Sequence, residues 1–307
     1  MQTTAHLLMV RPVNFEFNAQ TAVNNAFQVR PADNLAVREK ALAEFDGMVA
    51  MLRENGISVT VTNDTTGKPV PDAVFPNNWV SFHSDGTIVL YPMFAVNRRL
   101  ERDPAIIGEV VQQFSSSGLI DLSNYENEGL FLEGTGSMVL DRENKIAYAC
   151  LSPRTHRKVL DVFCEKMGYT AVSFDAVDIH GQSIYHTNVM MSVASQYVVI
   201  CLEAIRSQEQ QKKVLGAIHQ SGKTVMAISY DQLNNFAGNL LQVHNSNGEK
   251  IAVMSARALQ SFPAVQLEQL RQFNKIISAP LTEIEQNGGG SARCMMAEIH
   301  LPPLVTV

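Results

Sequence analysis

The sequence predicts an α/β fold: five ββαβ units arranged radially as a five-bladed α/β propeller, in a single domain over residues 1–307. Three observations predict it. A strand–turn–strand–helix–strand outline recurs every ~50–60 residues, with starts at Asn78, Gly136, Asn188, Asn239 and Arg293. A hairpin precedes each helix, which an ordinary doubly wound sheet lacks. The fifth copy stops at Pro302-Pro303 before any helix, and the missing helix and strand stand near the other end of the chain. Joining the two ends closes the array and leaves only short sheet edges.

Taken in order, Leu7–Val10 is a strand, Asn34–Asn55 carries apolar residues at helical spacing, and Ser58–Val61 is a second strand. The next unit begins at Asn78-Trp79-Val80-Ser81-Phe82, turns at Ser84-Asp85-Gly86, returns over Thr87–Leu90 and continues into a helix over Pro104–Phe114. Its successor begins at Gly136, turns at Asp141–Asn144, returns over Ile146–Cys150, and runs through a helix (Arg154–Met167) to a strand at Thr170–Phe174. The third unit begins at Asn188, turns near Ala194-Ser195 and returns over Tyr197–Leu202. Its helix is Gln208–Gln220 and its closing strand Thr224–Ile228. The fourth begins at Asn239, turns at Asn245–Gly248 and returns over Ile251–Met254. A helix over Ala264–Phe273 and a strand near Ile276-Ile277 complete it. Val13–Asp33, Thr62–Phe75 and Asp175–Tyr185 are long irregular stretches of the kind that cover functional sites.

Composition narrows the functional classes. With 46% hydrophobic and 18% charged residues the chain has an ordinary globular balance, which excludes wholesale disorder. A net charge of −6 argues against nucleic acid or an anionic membrane as partner. The longest apolar run, Tyr197–Leu202, is far short of the ~20 residues of a membrane helix. The first ten residues lack the basic leader and apolar length of a signal peptide, and the cysteines show no CxxC spacing. A cytoplasmic protein with reduced thiols is therefore expected. Its partner is expected to be a small molecule, and the oligomeric state is left open.

In a radial array the first strands converge on the axis, so residues at their starts meet in space. Those starts carry Asn77, Asn78, Glu133, His186, Asn239 and Cys294. Cys294 follows Gly288-Gly289-Gly290, a run that lets backbone approach a ligand closely. Cys150 and Cys201 end buried-looking strands and Cys164 sits in an apolar helix context, so packing explains them. A cysteine nucleophile needs an imidazole to take and return its proton. Of eight histidines, His186 in Tyr185-His186-Thr187-Asn188 shares the axial position. A lone strand histidine is more often structural, and no HxH or HxxxH pair marks a zinc site. Glu133, between Leu132 and Gly134-Thr135-Gly136, is poorly explained as a solvated charge. The Gly-Thr-Gly-Ser stretch lacks the lysine spacing of a phosphate loop. No motif calls for a cofactor or a metal.

Six segments together carry a resemblance: Phe75–Trp79, Asn97–Glu101, Leu132–Gly136, Leu151–Thr155, Tyr185–Asn188 and Gly289–Cys294. In this order, on a fivefold repeat, they resemble the guanidino-group-modifying superfamily, the pentein enzymes. These include arginine deiminase, dimethylarginine dimethylaminohydrolase, glycine amidinotransferase and succinylarginine dihydrolase. The chain looks closest to an amidinotransferase-like branch that contains citrulline-utilisation hydrolases. The resemblance implies covalent catalysis at a guanidino or ureido carbon. Cys294 would attack, His186 would protonate the leaving amine and then activate water, and Glu133 would hold substrate nitrogens or the imidazole. Asn77, Asn78, Asn188 and Asn239 would line the substrate site. Arg154 and one of Arg98 or Arg99 would grip a carboxylate. Read without the resemblance, Arg98 and Arg99 are a solvated pair beside Glu101, and Arg154 a charge at a helix start.

Relatives that bind a cationic guanidinium usually carry aspartate in the segment matching Phe75–Asn78 and often two residues after the histidine. Here the residues are Asn77, Asn78 and Asn188. Amides leave a buried guanidinium without a counter-charge but suit a neutral ureido group. A citrulline-like substrate follows from that departure, although succinylarginine dihydrolase shares the amide pattern and handles an arginine derivative. Two other outcomes compete with hydrolysis: an amidinotransferase passing the adduct to an amine, and a non-catalytic binding protein on the same fold. A papain-like protease is disfavoured, because His186 precedes Cys294.

Overall fold

The computed structural model describes residues 1–31, 33–64, 67 and 69–304, and the backbone alone of Asn34. Ala32, in the first irregular stretch, and residues 65, 66 and 68, in the second, lie outside the described residues.

Fifteen strands are described: β1 (His6–Arg11), β2 (Ser58–Asn63), β3 (Val80–Phe82), β4 (Thr87–Leu90), β5 (Gly118–Asp121), β6 (Val139–Asp141), β7 (Ile146–Cys150), β8 (Thr170–Phe174), β9 (Met191–Val193), β10 (Tyr197–Ile200), β11 (Thr224–Ala227), β12 (Leu241–His244), β13 (Lys250–Ser255), β14 (Lys275–Ala279) and β15 (Ala297–Glu298). Among the described residues they form five three-stranded sheets: β3-β4-β5, β6-β7-β8, β9-β10-β11, β12-β13-β14 and β15-β1-β2. In every sheet the first pair is antiparallel and the second parallel. That pattern is what a hairpin followed by a helical crossover produces. The last sheet joins the two ends of the described chain: Leu7 pairs with Glu298 on one side and with Val59 on the other.

Local chemistry sets the helices. Asp33 caps Asn34–Glu54 by accepting from the Leu35 and Ala36 amides, and Ser207 caps Gln208–Gln220 through the Gln210 amide. Gly168, at φ +68°, ends Arg157–Met167 in the left-handed conformation. These helices cover apolar faces. Phe45, Met48 and Leu52 pack with Leu7 and Met9, while Leu160 and Phe163 pack with Ala147 and Ala149. No helix among the described residues is long and apolar enough to cross a membrane.

The expected elements differ from the observed ones in one systematic way. The units were read as opening directly on a strand, but a short turn comes first in each. Pro76–Asn78 is a 3-10 turn, and Gly134–Ser137 and Thr187–Met190 are single helical turns. Asn239 follows a turn closed by its amide to the Phe236 carbonyl, and Cys294 lies in one closed by its amide to the Ser291 carbonyl. The turns are needed because the unit starts crowd one another. A Cβ on Gly134 would come within 2.9 Å of the Asn78 carbonyl oxygen, and one on Gly136 within 2.9 Å of the His186 ring. β5 and the short helix Ala256–Ser261 went unread: exposed Gly118-Leu119-Ile120-Asp121 has little apolar signal, and Ala256–Ser261 merges with the strand before it.

Candidate active site

The turns bring Glu133, His186, Asn188, Asn239 and Cys294 together, although the chain separates them widely. Glu133 is fully buried. Its backbone amide donates to Ser137 Oγ at 2.7 Å, and Ser137 Oγ donates to the Arg154 carbonyl at 2.7 Å, which fixes the turn. Its Oε1 accepts from the Phe94 amide at 2.9 Å, leaving Oε2 for His186 Nε2 at 2.7 Å. Burial works against a charge on Glu133. Arg154, His186 and Arg98 outweigh it and hold the carboxyl well below the usual carboxylate range. The anion fixes the tautomer of His186: Nε2–H donates to Glu133 and Nδ1 is left as the acceptor. Burial, with Arg154 and Arg98, pushes the imidazole down and Glu133 pulls it up, leaving it at about 4, so it is a neutral base at pH 7.

Cys294 presents its sulfur to two side-chain amides. Asn239 Nδ2 lies 3.3 Å and Asn188 Nδ2 3.4 Å from Sγ. Asn239 is held in turn: its Oδ1 accepts from the Arg293 amide, and its Nδ2 also donates to the Asn188 carbonyl. Both amides offer N–H to the sulfur, the polarity that suits negative charge building there. Of the three glycines before Cys294, Gly288 and Gly290 pass close to Phe75, while Gly289 packs against Asn25 and Gln28. A Cβ on Gly290 would lie 2.8 Å from the Phe75 ring.

Cys294 and His186 share the wall of a small enclosed pocket, about 250 Å³ of unfilled space, with Asp72, Asn78, Arg98 and Arg154. It is nearly sealed, since Cys294 is 3% and His186 2% exposed. The cover comes from residues 18–29. Val29 N donates to the Gln286 carbonyl at 2.7 Å, Asn25 Nδ2 reaches the Gly289 carbonyl, and Tyr185 OH also donates to Gly289. A wider groove, with about 1190 Å³ of unfilled space, lies beside this strap, with Tyr185 and Asn24 in its wall, but it contains neither the thiol nor the imidazole.

The other expected residues divide. Arg98 lines the pocket but is already engaged: Nε and Nη2 clasp Glu101 at 2.8 and 2.9 Å, and Nη1 donates to Asn78 Oδ1 at 2.8 Å. Arg154 lines it too. It is tied to the strap through the Thr21 carbonyl and Asn24 Oδ1 at 2.8 Å, and stacks over Tyr185 at 5.0 Å. Neither is the solvated charge that an isolated reading would make it. Arg99 does not reach the pocket. Its Nε donates to the Met93 carbonyl and faces Glu126, because neighbouring positions of the 3-10 turn Asn97–Glu101 point in different directions. Asn77 stands behind the pocket, where its Nδ2 donates to Thr135 Oγ1 and its carbonyl accepts from that hydroxyl.

Asp72 was not anticipated. It is fully buried in the pocket wall, with Oδ2 accepting from Asn18 and Thr21 and lying 3.8 Å from Arg98 Nε. Its Oδ1 has no hydrogen-bond partner among the described residues. Burial raises its carboxyl, with Arg98 and then the Asn18 amide pulling it down. The pocket therefore does contain a carboxylate facing the space a substrate would fill, which corrects the reading of an amide-only site. The available signal was the irregular stretch Thr62–Phe75 that ends beside it. Asn24 and Thr21 lie in the other long loop.

The sequence matches the profile described as N,N dimethylarginine dimethylhydrolase, eukaryotic, over residues 11–301. Comparison with curated proteins gives no match. Among solved structures, ArgZ, an arginine dihydrolase from the ornithine-ammonia cycle in Cyanobacteria, superposes with a TM-score of 0.75 at 19% identity over 98% of this chain. The chain spans 41% of that protein's length. The N-terminal domain of ArgZ alone, bound to substrate, is covered to 99%, with a TM-score of 0.74, 19% identity and 97% of this chain matched. A dimethylarginine dimethylaminohydrolase adduct gives a TM-score of 0.65 at 17% identity, over 97% of this chain and 100% of that one.

Proposed function

The chain belongs to the N,N dimethylarginine dimethylhydrolase family, within the pentein superfamily of guanidino-modifying hydrolases and amidinotransferases, and from that premise we propose that it hydrolyses the ureido carbon of a citrulline-like amino acid through a covalent Cys294 adduct. Closure of the five sheets into a ring is part of the same reading, supported by the β15-β1-β2 sheet.

One observation carries the choice of a ureido over a guanidinium group. Arg98 can only donate, so the oxygen of the Asn78 amide must face it. That leaves Asn78 Nδ2 as a buried donor without a partner among the described residues. A ureido oxygen satisfies it, whereas a guanidinium has only donors to offer and would leave two donors opposed. Asp72 Oδ1 takes a substrate N–H, which either group supplies.

The chemistry then runs as follows. The Cys294 thiol gives its proton to His186 Nδ1 as sulfur adds to the ureido carbon, with the Asn188 and Asn239 amides facing the sulfur. Glu133 stabilises the imidazolium through Nε2–H. The bond from carbon to the alkyl nitrogen breaks, and His186 returns the proton to that nitrogen, so the free amine leaves and an S-carbamoyl group remains. A water deprotonated by His186 adds to the same carbon and the S–C bond breaks. Carbamic acid leaves and falls apart to ammonia and carbon dioxide, and the thiol regains its proton.

Purified protein incubated with citrulline, arginine, dimethylarginine and succinylarginine, with ornithine, citrulline and ammonia measured, tests the reading. Citrulline turnover to ornithine supports it; turnover of arginine with none of citrulline overturns it.

A further inference from the structure

A buried carboxylate outside the pocket is unused by this chemistry. Glu285 is 2% exposed and lies in the π-helical turn Ile284–Gly288, directly before the glycines that lead to Cys294. Its Oε1 accepts from Ser291 Oγ at 2.5 Å. The Ser291 carbonyl in turn accepts the Cys294 amide at 2.9 Å, closing the turn that carries the sulfur. Glu285 also accepts from the Ser255 hydroxyl, which caps the helix Ala256–Ser261 of the neighbouring unit, and its Oε2 stands 3.9 Å from Arg257 Nη1. Its own carbonyl takes the Gly289 amide, and the next carbonyl, of Gln286, takes Val29 from the strap. One side chain thus ties the nucleophile's turn to the unit beside it, at the point where the strap is fastened.

We propose that Glu285 is a positioning residue for Cys294, acting through Ser291, so that its accepting oxygen serves the geometry of the thiol and not the chemistry of the substrate. The inference rests on the assignment of Cys294 as nucleophile. A hydrogen bond from a hydroxyl to a buried carboxylate is among the stronger ones a protein makes, and small displacements of a nucleophile cost rate steeply.

Three variants and two readouts test it. Glu285→Ala and Ser291→Ala each lower kcat about tenfold or more while KM changes by less than about twofold. Glu285→Gln, which keeps an oxygen for Ser291, recovers most of the loss. Without any substrate, iodoacetamide labels Cys294 at least about threefold faster in Glu285→Ala than in the parent, read by peptide mass spectrometry, because a loosened turn opens the thiol. Ser291→Ala removes only a hydroxyl, so it stands in should Glu285→Ala fail to fold. Parental kcat in the foldable alanine variants, a Gln variant no better than Ala, or unchanged labelling of the alanine variants overturns the proposal. If the parent turns over no ureido or guanidino substrate, the functional reading fails instead, and the labelling comparison still decides the role of Glu285.

Discussion

Arg98 Nη1 donates to Asn78 Oδ1 across 2.8 Å, and this bond orients the Asn78 amide so that its nitrogen faces away from the arginine. The same arginine is held from its other side by Glu101, so it cannot swing away without breaking a bidentate pair. The orientation of the Asn78 amide is therefore fixed from two links away, by Glu101.

Asn78→Asp reverses that polarity, replacing a buried donor with an acceptor. The ratio of kcat/KM for citrulline over arginine is expected to fall by about tenfold or more, since each mismatched buried polar contact costs on the order of 1–3 kcal/mol. Steady-state assays with both substrates check it, and an unchanged ratio would refute the assignment of Asn78 to the ureido oxygen.

Cys294→Ala is expected to abolish turnover while leaving the circular dichroism spectrum and melting temperature near those of the parent, because it removes a single side-chain atom. Acid quenching of the parent during turnover, followed by intact mass spectrometry, should reveal a carbamoyl adduct that maps to residue 294. An adduct on Cys150, Cys164 or Cys201, all buried, would refute the mechanism.

Glu133→Gln keeps the shape of the His186 partner but removes its charge. The imidazolium formed during attack then loses its counter-ion beside Arg154 and Arg98, and kcat is expected to fall about 10²–10⁴-fold. The acid limb of kcat/KM in the parent should lie well below the ordinary imidazole value of about 6.5, toward the value of about 4 to which burial pushes His186. A limb centred near 6.5 in the parent would mean that His186 is not the base.

Burial of three histidines should lower stability on acidification, opposed by Glu101, whose carboxyl burial pushes up to about 7 and which acts in the opposite sense. Burial holds His83 well below its usual range and pushes His186 and His300 down to about 4. Between their ordinary value and those lowered values the unfolded chain binds protons that the folded one does not. Stability therefore rises with pH across that window and is lost as pH falls through it, by up to about 1.4 kcal/mol per pH unit for each histidine. Urea denaturation from pH 7 down to 4.5 measures the balance, and stability that rises on acidification through that window would contradict a response dominated by the histidines. Glu133, whose folded value is depressed, adds a further loss only below the ordinary glutamate range.

Arg154→Ala releases Thr21 and Asn24. Amides in residues 18–29 should exchange with deuterium faster, and KM should rise, since the strap closes the pocket. Unchanged exchange over that segment would show that other contacts alone hold the strap.

How much of this was readable beforehand follows from periodicity. Strands returning from tight turns, such as Thr87–Leu90 and Ile146–Cys150, carry largely apolar patterns, so the hairpin of each unit could be placed, while β5 could not. Glycine runs and reactive residue types marked Cys294, His186 and Glu133. The structure places Glu133 against His186 and brings Cys294 into the same pocket. What could not be read was set by tertiary contact. Asp72 lies in a loop with no period, and only burial against Arg98 distinguishes it from any surface aspartate. Arg98 and Arg99 are chemically identical neighbours, and a 3-10 turn decides which points inward. The turns opening each unit arise from crowding between segments far apart in the chain, information that a local window does not contain.

The pairing of β1 with β15 also shapes how the protein is made on the ribosome. β1 emerges early and gains β2 after one helix, but its other edge stays open until Ala297–Glu298 has been synthesised. Contacts spanning so much chain form slowly, so a nascent chain carries an unpaired strand edge until β15 has been made. Cys294 emerges just before that edge is covered. Synthesis of this cysteine and protection of the β1 edge are thereby separated by only a short stretch of chain, and a chain cut before Ala297 would leave that edge exposed.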